Sequence, residues 1–91
     1  MSDLLNQRIP TRENIVMTMP PETCAAFISH TRKKLRKTVA LRWQHDFLKD
    51  IEAQVSGRYR TSLSPKQTAH LLRTAEIAEV DLDEFLQGRE P

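Results

Sequence analysis

An all-α fold is predicted: a small helical bundle of three main helices plus a short C-terminal helix, preceded by a flexible N-terminal arm. Three features of the sequence point to it. Apolar residues recur at helical spacing through most of the chain after residue 20. The sequence holds only two glycines, Gly57 and Gly88, and both fall where a helical pattern stops. Ser64-Pro65-Lys66-Gln67 is a strong helix-start signal. In it a serine caps, a proline takes the first position, and a glutamine three residues after the serine reaches back. Ninety-one residues suffice for one domain with a thin core.

Residues 1–19 show no helical period and are assigned to an arm, leaving 20–88 as a single helical domain. Ile15-Val16-Met17-Thr18-Met19 is β-prone. It suits a mobile arm packed partly on the core, or an extended segment added to a sheet edge of a partner. Pro20-Pro21-Glu22 opens the first main helix, with Thr18 as a candidate cap and Glu22 placed against the positive end of the helix dipole. Cys24, Phe27, Ile28, Thr31 and Leu35 then share one face.

The apolar row 27, 31, 35, 39, 43, 47, 51, 55 keeps step up to Gly57. One continuous helix over that span would be about 50 Å long and would favour a homodimer. A break near Thr38-Val39 is the preferred reading, because two β-branched residues there follow a run of like charges. The second helix, about 40–56, is expected to bury Trp43, Phe47, Leu48, Ile51 and Val55 and to end at a left-handed Gly57. The third begins at Ser64 and carries Leu71, Leu72 and Ala75 inward. Asp81-Leu82-Asp83-Glu84 offers a cap for a short fourth helix with Phe85 and Leu86 in the core, stopped by Gly88.

The net charge of +2 hides a polarity. Residues 1–45 hold eight Lys or Arg against three Asp or Glu, and residues 46–91 hold six against nine. The single cysteine allows no internal disulfide. No charged-then-apolar leader opens the sequence, and no window reaches the ~18 apolar residues of a membrane span. A soluble, cytoplasmic protein with no membrane partner is expected.

The basic run Arg32-Lys33-Lys34-Leu35-Arg36-Lys37, with Arg42 beyond it, is the sharpest functional feature. Five cations in six residues repel one another, and a polyanion would relieve that repulsion. Arg58, Tyr59 and Arg60 add a basic turn with an aromatic suited to stacking on a base. The candidate nucleic-acid contacts are therefore Arg32, Lys33, Arg36, Lys37, Arg42, Arg58, Tyr59 and Arg60. The competing reading is a solvated face partly neutralised by the acidic half.

Leu63 to Leu72 reads like the first helix of a helix-turn-helix. The would-be reading helix, however, carries Glu76, Glu79, Asp81, Asp83 and Glu84, which phosphates would repel. His30, His45 and His70 are far apart and form no ligand spacing with Cys24, so neither a metal nor a cofactor is expected. Cys24 is expected to pack as a small core residue. Trp43 and Phe47, one helical turn apart, suit the core, or a protein interface if exposed. No catalytic constellation stands out, so no enzyme is expected.

The pattern Trp43-x3-Phe47-Leu48-x2-Ile51, a basic turn, then Leu63-Ser64-x-Lys66-Gln67-x3-Leu71-Leu72 resembles a helical module of small accessory proteins of bacteriophages and mobile elements. The likeness spans about 30 of the 91 residues and leaves out the basic helix. It implies an accessory role in DNA replication, recombination or repair, and it supplies no catalytic residues. Together these features suggest a non-catalytic nucleic-acid-associated protein that grips phosphates. The alternative is a small protein that binds and inhibits or redirects a host enzyme.

Overall fold

The computed structural model describes residues 11–57 and 61–88, which form helices and turns with no strand among the described residues. In chain order these are α1 (Arg12–Thr18), α2 (Pro21–Lys34), a 3-10 turn (Val39–Leu41), α3 (Arg42–Ser56), α4 (Pro65–Ile77) and α5 (Leu82–Leu86). Residues 1–10 of the expected arm, and Arg58, Tyr59 and Arg60 of the expected basic turn, lie outside the described residues.

α1 departs from the expectation of no helical period before residue 20. Thr11 caps it, its side chain accepting from the Asn14 N–H at 3.1 Å, and Glu13 sits in its first turn. Its β-branched residues are tolerated because the helix docks on α4 and buries Val16; tertiary packing overrides a weak local propensity. Thr18 does not cap α2. Its hydroxyl instead donates back to the Asn14 carbonyl at 2.7 Å, and Pro20 occupies the cap position with no side-chain bond.

α2 packs chiefly against α3. Cys24, Phe27, Ile28 and Thr31 are buried along its expected face, and Leu35 seals its end. The Thr31 hydroxyl donates to the Phe27 carbonyl at 2.9 Å, so its burial leaves no orphaned donor. Burial pushes the Cys24 thiol above its ordinary pKa, as suits a packed residue. The chain breaks after Lys34, where Leu35 turns extended, and residues 36–38 lead into the 3-10 turn.

α3 ends at Gly57, which is extended (φ −80°, ψ −174°) and not left-handed as expected. Glycine is required there by proximity: a Cβ would lie 2.6 Å from the Ala53 carbonyl oxygen. α4 starts with the capping box intact. The Gln67 N–H donates to Ser64 Oγ at 3.1 Å, and the Ser64 N–H donates to Gln67 Oε1 at 2.9 Å. Gln67 also exchanges amide hydrogen bonds with Gln54 of α3 at 2.8 and 3.2 Å, so one side chain both starts α4 and ties it to its neighbour.

α4 ends in a Schellman turn. The Val80 N–H reaches the Ala75 carbonyl at 2.8 Å and the Glu79 N–H reaches the Glu76 carbonyl at 3.0 Å, with Glu79 at φ +60° where glycine is usual. Asp81 caps α5 through Oδ1, and Phe85 of α5 lies 5.3 Å from Phe27, ring to ring. The core joins Phe27, Ile28, Leu48, Ile51, Val55 and Leu71 with Leu63, Val80 and Leu82 from the connections and α5. Phe47, Leu72 and Phe85 are only partly buried against it. Trp43 and Leu86, both expected inside, are 58% and 41% exposed.

Candidate nucleic-acid interface

The break between α2 and α3 builds the candidate site. Arg32, Lys33 and Lys34 occupy the last turn of α2, where cations sit favourably against the negative end of the helix dipole. Arg36 and Lys37 follow on the extended link, and Arg42 opens α3. The link is tied down by a 2.9 Å hydrogen bond between His45 Nε2 of α3 and the Arg36 carbonyl. That bond fixes the loop's path although every residue from Arg36 to Ala40 is exposed.

Among the predicted contacts, Arg32 stands apart. It is ion-paired to Glu52 of α3, with both side chains part-buried, so part of its charge serves the α2–α3 packing. Lys33, Arg36, Lys37 and Arg42 are exposed, as is Lys34, and none forms an ion pair among the described residues. Two depressions run along this surface. One, of about 210 Å³, is lined by Ser29, Arg32, Lys33, Lys37 and His45. The other, of about 390 Å³, is lined by Lys37, Thr38, Val39, Arg42 and His45. Lys37 and His45 line both, so the two depressions adjoin at the α2–α3 junction as the halves of a shallow trough. The structure thus brings Arg32, Lys33, Lys37 and Arg42 together and sets Arg36 beside them.

The aromatic residues lie on the flank of α3 that faces α4. Trp43 stacks on Phe47 with centroids 5.4 Å apart and planes within 3°, and His70 of α4 stands edge-on to both rings at 5.7 and 5.9 Å. Val39, just before α3, is 91% exposed.

The exposure of Trp43 follows from the drift of a four-residue spacing. Each step of four overshoots a full turn by about 40°, so the row 43, 47, 51, 55 winds around α3. The buried face of α3 is set by Leu48, Ile51 and Val55. Trp43 lies five residues before Leu48, about 140° round the helix. Phe47 lies about 100° round and so flanks the core. His45 as the loop's anchor was not foreseen either; no spacing rule marks it.

At the other end of the molecule's sequence, Glu76, Glu79, Asp81, Asp83 and Glu84 are all exposed on α4, α5 and the turn between them. α5 has five residues, too few to serve as a reading helix. Among the described residues no helix is long and apolar enough to cross a membrane. No protein-family model, no curated protein and no solved structure matches the chain.

Proposed function

We propose that the chain is a non-catalytic, cytoplasmic nucleic-acid-associated accessory protein, of the phage or mobile-element kind that residues 43–72 resemble. One observation carries this reading: the basic stretch of Lys33, Lys34, Arg36, Lys37 and Arg42 is exposed, with no carboxylate paired to it among the described residues. Mutual repulsion within such a stretch is relieved when phosphates approach. Arg32 contributes through the trough it shares with Lys33 and Lys37. Arg58, Tyr59 and Arg60 extend the proposed contact surface from sequence alone.

The mechanism is backbone contact with little base discrimination, because the stretch offers long flexible cations and no helix shaped to enter a groove. Five phosphate contacts give a slope of log affinity against log salt of about −4.5 on duplex DNA. Titrating DNA and RNA into the protein at two salt concentrations tests this. Absence of binding at low salt rejects the reading.

A second reading keeps support from a different observation. Ile77 and Leu86 are 46% and 41% exposed among the carboxylates of the acidic half. Exposed apolar side chains in a segment rich in carboxylates suit a basic protein surface, as an inhibitor or redirector of a host enzyme would meet. A single stoichiometric protein captured from nuclease-treated lysate through the Ile77–Leu86 surface favours it over the first.

A further inference from the structure

The phosphate-binding reading leaves Trp43 unexplained, and its surroundings give it a use. It is the only tryptophan in the chain, and it is more than half exposed. It is nevertheless not loose. Phe47 backs the indole in a parallel offset stack, and His70 braces both rings from α4. A large aromatic held in one orientation loses little conformational freedom when something docks on it.

Its neighbours set the chemistry of that partner. Arg42 precedes it in the chain, and Val39, Lys37 and Arg42 line one end of the basic trough. Asp46, one turn further along α3 from Arg42, is also exposed.

From this arrangement we propose, building on the nucleic-acid reading, that the ligand is single-stranded nucleic acid. One base stacks on Trp43, and the adjoining phosphates follow Arg42, Lys37 and Lys33. Cations tracking a backbone beside an aromatic platform are the two parts of single-strand recognition. A duplex presents no free base face. To use Trp43 it would have to be unstacked, at a cost of a few kcal/mol. RNA and single-stranded DNA share this chemistry of base face and phosphate.

The test uses the full chain and its own fluorophore. Oligothymidylate, oligouridylate and a blunt duplex of equal length are titrated at low salt, with Trp43 emission and ligand anisotropy followed together. The single strands are expected to quench the emission as they bind. Trp43→Ala should weaken single-strand binding roughly 5- to 150-fold while duplex binding stays within about twofold, and Trp43→Phe should restore most of the loss. Circular dichroism checks that both variants fold.

Single-strand binding with unmoved Trp43 emission overturns the stacking proposal and leaves phosphate contact standing. Equal quenching and equal loss on the duplex overturn the single-strand assignment. No binding to any of the three removes both the proposal and the reading beneath it.

Discussion

Glu79 is the residue held against its preference. An L-residue other than glycine at φ +60° costs about 1–2 kcal/mol relative to the right-handed helix. Glu79 endures it because both amides of the turn are satisfied and Val80 is buried beyond it. Glu79→Gly relieves the cost but loosens the unfolded chain. A net gain of about 1 kcal/mol is expected, seen as a melting temperature about 4–8 °C higher.

The phenylalanines separate in the same way. Phe27 is fully buried, so Phe27→Ala should cost about 3–5 kcal/mol, much of the stability available to a domain of this size. Phe47 is only partly buried between Trp43 and the core, and Phe47→Ala should cost roughly half as much. Chemical denaturation of the two variants checks the ratio. Equal losses would put Phe47 in the core after all.

At the scale of the element, the starts of α4 and α5 were the most legible part of the chain. Ser64, Pro65 and Gln67 spell a capping box by residue type alone, and every bond of it is formed. Ser64→Ala should destabilise by about 1 kcal/mol, measured by the shift in denaturant midpoint at unchanged slope. The buried face of α2 was equally legible, because fourteen residues run without interruption from Pro21 to Lys34.

What could not be read were features set by three-dimensional geometry. Trp43 looked buried because it stands at four-residue spacing from Phe47, Ile51 and Val55, a row that drifts about 40° per step round α3. Gly57 looked left-handed because the residue type allows it, whereas the Ala53 carbonyl requires glycine for space. α1 was missed because its helix rests on docking against α4, which no local pattern encodes. Of the candidate site, the cations were visible as a run of letters. Their assembly into a trough depended on the His45 bond to the Arg36 carbonyl, a contact between residues nine apart with no motif behind it.

Across the whole molecule the charge is segregated, with a positive junction between α2 and α3 and a negative α4–α5 turn. Segregated charge orients an approaching polyanion before contact and adds little to fold stability. Lys37 belongs to both halves of the trough, and it makes no ion pair among the described residues. Lys37→Gln should therefore lower the salt slope of binding by about one unit with the melting temperature unchanged. A melting shift without a slope change would make Lys37 structural.

The double duty of Gln67 bears on how the bundle opens. First-turn amides ordinarily exchange with solvent by fraying, an event of small free energy. Here the acceptor of the Ser64 amide proton is the same side chain that grips Gln54, so that proton is held by a group itself anchored to α3. Native-state hydrogen–deuterium exchange should find Ser64 protected like the interior amides of α3, far beyond the usual protection of a helix end.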